Sequence, residues 1–375
     1  MKIVIYESNS TNNRRSPQDK PINTMRRFIL IVLLGVCYQI ANVSGQDIHF
    51  SQFYMSPLNL NPAMTGVINC DQRFVVNYRN QWAGVLGANA YNTFSASYDR
   101  KMAVGRDDFF GVGGSLWGDV AGSTKFGTRQ ARLSFAYSKK MGGRRKVSHY
   151  LSVGADAGIT QRRVDQTDLR WPTQVSNGQF DPTQGSNEAI PNADFLFADF
   201  SGGLMWFSNL GDRKSLYGGA SLHHLNQANV SFLGRQESLF SRLTVYAGGE
   251  YPLNKKVSIK PDIIYMSQGP HKEYNFGAAA RFSVGPNARG VNQPAGQFFQ
   301  AGLWFRAGNS VESSLHSDAI IFTTRFEFDR YNIGLSYDYN VSQLSAAAAA
   351  NGSFELSLVY LICGSGSSQV YCPVF

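Results

Sequence analysis

The stretch Gly352-Ser-Phe-Glu-Leu-Ser-Leu-Val-Tyr-Leu-Ile362 decides the fold. Phe354, Leu356, Leu358, Tyr360 and Ile362 share one parity while Ser353, Glu355 and Ser357 take the other, so an extended chain here is apolar on one face. Just upstream, Ile333, Leu335, Tyr337 and Tyr339 alternate in the same way with Asn332, Gly334, Ser336 and Asp338. Working back towards residue 72, comparable segments recur between turn signals, from 72–82 to 351–363. We count fourteen. The expected fold is all-β: a transmembrane up-and-down antiparallel β-barrel, whose even strand number returns both ends to one side.

Composition fits this expectation. Of 375 residues, 43% are hydrophobic, 13% aromatic and only 16% charged, with 37 glycines. The mean hydropathy of −0.23 looks aqueous, but alternating lipid-facing and lumen-facing residues averages hydropathy away. Short turns on one side, such as 252–255 and 328–329, and long loops on the other, such as 163–194 and 225–239, give the inside and outside rims expected of an outer-membrane barrel, with the long 284–296 connection on the short-turn side as the exception, either a missed short strand or a specialised turn.

Residues 1–45 are expected to be removed. The apolar run Phe28–Tyr38 follows Arg26 and Arg27 and precedes Val43-Ser44-Gly45, the pattern of a signal peptide beginning at Met25, with residues 1–24 an upstream extension. Six Lys/Arg and two Asp/Glu lie in residues 1–45, so cleavage takes the formal net charge from +9 to +5. The remaining basic residues concentrate in short turns, with no aromatic-lined basic groove to suit nucleic acid.

The segment 46–71 has neither helical nor strand periodicity, and its Ser56-Pro57 and Asn61-Pro62 steps read as an extended periplasmic arm. Phe53, Tyr54, Pro57, Asn59, Asn61 and Pro62 are its candidate partner contacts. Insertion into the lumen as a plug is the other use open to it. The barrel and its C-terminal tail then occupy 72–375.

Inward parity in the first strand falls on Arg73, Asn77 and Arg79, and in the last on Glu355. Closure makes these strands neighbours, so an Arg/Glu pair across the seam is a candidate lumen ion pair, with Arg325, Glu327 and Asp338 a second cluster; solvation by lumen water is the alternative. After cleavage three cysteines remain, Cys70, Cys363 and Cys372, allowing one internal pair. Cys363 with Cys372, nearest in sequence, is the candidate disulfide, against unpaired buried thiols.

No catalytic or metal motif stands out. His223 and His224 are adjacent on a strand and so are expected to face opposite ways, and no His-Glu-x-x-His, Cys-x-x-Cys or Gly-x-Ser-x-Gly is present. No cofactor is expected. Trp82, Tyr98, Tyr137, Trp206, Tyr251, Trp304 and Tyr339, at strand ends, suit interfacial girdles.

The block Asp47-Ile-His-Phe-Ser-Gln-Phe-Tyr-Met-Ser-Pro-Leu-Asn-Leu-Asn-Pro-Ala-Met-Thr-Gly66, with Val76-Asn-Tyr-Arg-Asn-Gln-Trp82, Thr93-Phe-Ser-Ala-Ser-Tyr-Asp99, Leu222-His-His-Leu-Asn226 and Gly334-Leu-Ser-Tyr-Asp338, strongly resembles the PorP/SprF family. The tail Cys372-Pro-Val-Phe375 also resembles that family's ending. The resemblance implies an outer-membrane barrel of the type IX secretion system, associated in gliding bacteria with export and surface retention of adhesins. It implies as partners a secreted cargo with a C-terminal sorting domain, components of the secretion or gliding machinery, and outer-membrane lipid, and it carries over no catalytic residue. The function expected is docking or anchoring of cargo without catalysis. A passive pore, or a transporter of lipids or other hydrophobic ligands, is the alternative.

Overall fold

The computed structural model describes residues 47–375 except 145–146, 168, 177, 182, 187–189, 212, 285–296, 310–314, 343–350, 365–371 and 375. The signal peptide, most of the 284–296 connection and terminal Phe375 thus lie outside the described residues.

Among these residues fourteen strands close into one barrel, as the alternation predicts. They are β1 (Gln72–Gln81), β2 (Tyr91–Val104), β3 (Asp108–Ala121), β4 (Phe126–Gly142), β5 (Val147–Arg163), β6 (Asp194–Leu210) and β7 (Ser215–His223). The second half comprises β8 (Arg242–Pro252), β9 (Val257–Gln268), β10 (His271–Ser283), β11 (Phe298–Asn309), β12 (Leu315–Phe328), β13 (Tyr331–Asn340) and β14 (Asn351–Ile362). Each pairs antiparallel with its sequence neighbours, and β1 pairs with β14 from Gln72 opposite Ile362 to Gln81 opposite Ser353. Closure leaves no strand edge unpaired, which a lipid environment requires.

Period two sets the two faces. On β1 Phe74, Val76 and Tyr78 point outward, while Arg73, Val75, Asn77 and Arg79 are buried inside. On β14 Phe354, Leu356 and Leu358 face out against Ser353, Glu355 and Ser357 within. An oily exterior round a polar interior inverts the pattern of a water-soluble protein and matches a hydrocarbon surround. One rim of the barrel has short turns, including 329–330 and 253–256, and the other carries the long loops 164–193 and 224–241. In outer-membrane barrels the short turns face the periplasm and the long loops face outward.

Candidate functional site: the arm inside the barrel

Residues 47–71 run through the lumen. The expectation of an extended arm on the periplasmic side is corrected: the segment folds into short helical turns at Phe53–Met55, Pro57–Leu60 and Pro62–Met64 and rises to the long-loop rim. The same two X-Pro steps that suggested extension start these turns, since proline's fixed φ and missing N–H suit the first position of a helix. The Asn61 side chain accepts from Ala63 N–H at 2.8 Å and caps the third turn.

Two layers hold the arm. Phe53, Tyr54, Met55, Leu58, Leu60, Met64 and Val67 are buried, and most pack against inward aromatic and aliphatic residues such as Tyr150, Phe207, Tyr246, Ile264, Trp304 and Ile321. The Tyr54 and Trp304 rings lie 5.6 Å apart. Trp304, expected in an interfacial girdle, is corrected to a core position, because it shares the inward parity of Gln300 and Arg306.

Polar wall residues meet the arm's backbone, whose groups find few partners in such short turns. Near the long-loop rim Arg79 donates to His49 O at 2.7 Å, and Glu355 accepts from the Ser51 and Gln52 amides at 2.7 and 3.0 Å. Midway, Asn77 donates to Met55 O, Ser221 to Leu60 O at 2.8 Å and Ser152 to Ala63 O at 2.6 Å. Towards the short-turn rim Asp99 accepts from Gly66 N–H at 2.7 Å and Lys101 donates to Ile68 O at 2.6 Å. The wall is also cut to fit: a Cβ built on Gly111 falls 2.0 Å from Thr65 O, and one on Gly154 falls 2.6 Å from the Pro62 carbonyl.

The candidate partner contacts Phe53, Tyr54, Pro57, Asn61 and Pro62 are therefore buried, and Asn59 half-buried. In this seated state they face the barrel wall.

The candidate ion pairs are also redistributed. Arg79 and Glu355 are opposite one another across the seam, but the seam pair is corrected: Arg79 pairs with Asp338 at 3.2 Å, and Glu355 turns to the arm amides. Asp338 leaves the expected cluster to join Arg306 at 2.9 Å and accept from the Ser51 hydroxyl at 2.8 Å. Arg325 lies 3.4 Å from Glu327, which Arg281 also binds while reaching Glu250. Arg73 pairs with Asp99 at 2.8 Å and donates to Met64 O. Most of these charges thus meet protein partners inside the barrel.

At the long-loop rim a latch holds the far end of the arm. Gln268 Oε1 accepts from Asp47 N–H at 2.9 Å, and Arg242 lies 3.4 Å from the Asp47 carboxylate. His224 bonds that carboxylate through Nε2 and Asp199 through Nδ1. Opposed faces for His223 and His224 are corrected. His223 keeps the inward parity of Ser221, and a φ of 58° at His224, beyond the end of β7, turns that ring inward as well. Burial opposes the charge on His224, yet Asp47 and Asp199 outweigh it and raise its pKa to about 9. Burial likewise opposes ionisation of Asp47, but His224 and Arg242 hold its carboxyl well below the usual range.

At the short-turn rim Cys70 is bonded to Cys363, and the expected Cys363–Cys372 disulfide is corrected. The β1–β14 register sets the residues just before Gln72 beside those just after Ile362, with 4.4 Å between the two Cα atoms. Cys372 is free and buried, in the tail that folds back beside the arm: Asn69 accepts from Cys372 N–H at 2.7 Å, and Lys260 donates to Val374 O at 2.8 Å. Among the described residues no group of three or more His, Cys, Asp or Glu could hold a metal ion.

A closed barrel with an oily exterior, its lumen occupied by its own N-terminal arm, defines an outer-membrane protein of a Gram-negative bacterium. The signature of the type IX secretion system membrane proteins PorP/SprF matches residues 42–360. The chain belongs to that family. No curated protein matches its sequence. Among solved structures it is similar to the Ralstonia pickettii toluene transporter TbuX, at 11% identity over 82% of this chain and 92% of that one, with a TM-score of 0.42. It is also similar to the monoaromatic hydrocarbon channel CymD, at 12% identity over 86% and 96%, TM-score 0.46. CdiB from Acinetobacter baumannii matches at 6% identity over 77% and 60%, TM-score 0.43.

Proposed function

We propose that this type IX secretion barrel is a dock: it retains a secreted, adhesin-like cargo at the cell surface by binding the cargo's C-terminal sorting domain, and performs no chemistry of its own. The observation that carries this reading is the filled lumen. Membership of a secretion family gives the setting, and an interior packed with the barrel's own arm leaves the rims as the surfaces for work on a protein partner.

The long-loop rim suits that role because its loops support one another. Asn192 N–H donates to Phe232 O at 3.2 Å, and Phe232 packs edge-on against both Phe126 and Phe195. Val230 N–H donates to Glu237 O, and Val175–Ser176 pairs with Gln179–Phe180 as a small hairpin. Leu233 is 57% exposed on this platform. The secretion or gliding machinery would engage the short-turn rim, where the tail and basic turns lie.

Mild-detergent pulldown of the tagged protein tests the proposal. Recovery of a cargo C-terminal domain, lost on deleting 169–190, is the expected result; recovery of the barrel without cargo would count against it. Planar-bilayer recording addresses the pore alternative, for which steady ion flux through the intact protein would speak.

A further inference from the structure

The outer wall of β3, β4 and β5 carries charges that the arm leaves unused. On β4 the outward positions between Arg129 and Lys139 are Ala131, Leu133, Phe135 and Tyr137. Ten residues at roughly 3.4 Å each, tilted by about 40°, span about 26 Å across the membrane, close to the height of an outer-membrane apolar band. Arg129 therefore stands at the outer-leaflet headgroup level, where a lipid-facing arginine costs least.

Two further cations join it. Arg163 on β5 is in register with Gly127, which adjoins the β3–β4 turn bearing Lys125, and Arg129 is in register with Gly118 and Gln161. Lys125, Arg129 and Arg163 line one cleft of about 310 Å³, floored by Val120 and Gly127. Among the described residues none of the three side chains makes an ion pair. The cleft's carboxylate, Asp165, accepts from the Thr167 N–H and hydroxyl at 3.1 and 2.6 Å.

Below the cations the wall becomes an apolar trough. One row of the ladder holds Ala96, Leu116, Ala131 and Ile159, and the next Tyr98, Gly114, Leu133 and Ala157. Alternation of small with branched residues hollows a trough of about 740 Å³ that reaches Phe74 and Val76 on β1.

The geometry points to a binding site for a phosphorylated glycolipid of the outer leaflet, with its phosphate among Lys125, Arg129 and Arg163 and its acyl chains along the trough. Charge complementarity and continuity select this occupant. A soluble anion leaves the trough unfilled, and an apolar protein segment leaves an excess of positive charge at the edge of hydrocarbon, since Asp165 alone offsets Lys125 and Arg163. Basic residues at headgroup depth recognise anionic lipid through just this pairing.

Native mass spectrometry of the detergent-purified protein tests the assignment with lipid A and with chemically dephosphorylated lipid A as probes. Lipid A should remain bound and the dephosphorylated form should not. The triple variant K125Q/R129Q/R163Q should lose lipid A roughly tenfold or more, while K272Q on β10 keeps it. Heat-modifiable gel mobility shows that each variant is folded. Equal retention by wild type and triple variant, or displacement of lipid A by millimolar inorganic phosphate alone, overturns the site. A photo-crosslinking residue at Ala157 in the intact outer membrane should give lipid-mass adducts; a protein-mass adduct there also overturns it.

Discussion

Asn61 donates from its side-chain amide to the hydroxyl of Tyr246 at 3.1 Å, deep inside the barrel. The same amide reaches Leu204 O and Ala220 O at 3.0 and 3.2 Å, so one arm residue engages β6, β7 and β8 together. Asn61→Ala removes two amide hydrogens shared among these three acceptors, at about 1–3 kcal/mol for any of them left unsatisfied. The variant barrel should remain closed, but hydrogen exchange across 53–66 should quicken by tenfold or more, and unchanged exchange would show that the apolar contacts suffice.

Filling the wall should eject the arm. With Cβ at Gly111 only 2.0 Å from Thr65 O, Gly111→Val cannot coexist with the seated backbone unless one of them shifts. Single-channel recording should then reveal conductance absent from the wild type, and deletion of 47–66 should reproduce it. A silent Gly111→Val barrel would mean that the arm adapts.

The latch at Asp47 should respond to pH in one direction. His224 has a folded pKa of about 9, above its ordinary value near 6.5, so its stabilisation is complete below about 6.5 and fades as pH rises through 9. Asp47 is shifted downward, so its share is present at neutral pH and is lost only in acid. Protection of amides 47–52, measured relative to their intrinsic base-catalysed exchange, should therefore fall between pH 8 and 10, and His224→Gln should abolish that step.

Reduction should loosen the short-turn rim. Cys70–Cys363 closes nearly the whole chain, with a separation of 293 residues, and loss of a native disulfide costs roughly 2–5 kcal/mol. Cys363→Ser should lower the unfolding temperature in detergent. In the folded, unreduced protein Cys372 should resist alkylation because it is buried. Peptide mapping that finds Cys372 in a disulfide would overturn the assignment.

The wall of the barrel was legible because alternation is a local signal: Leu356 and Glu355 announce their faces without knowledge of any neighbour. Its contents were not. Leu58 and Met64 carry no periodicity, and their burial depends on strands far away in sequence. Ser56-Pro57 and Asn61-Pro62 did hold a readable cue, since proline after a capping residue starts a helical turn as readily as it extends a chain. Trp304 lies near a strand end, yet its parity with Gln300 and Arg306 is what sets it inward. Closure sets β1 beside β14, and Cys70, two residues before Gln72, thereby meets Cys363, one residue after Ile362.

The arm enters at the short-turn rim and finishes at the opposite one, bonded on the way to Glu355 of β14 and Arg79 of β1, the two strands whose meeting completes the circle. A bulky segment gripped along its whole course by groups on both sides of that junction is far easier to enclose than to thread. The arm thus bridges the two strands whose pairing closes the barrel, so the seam and the plug share their hydrogen-bonding groups.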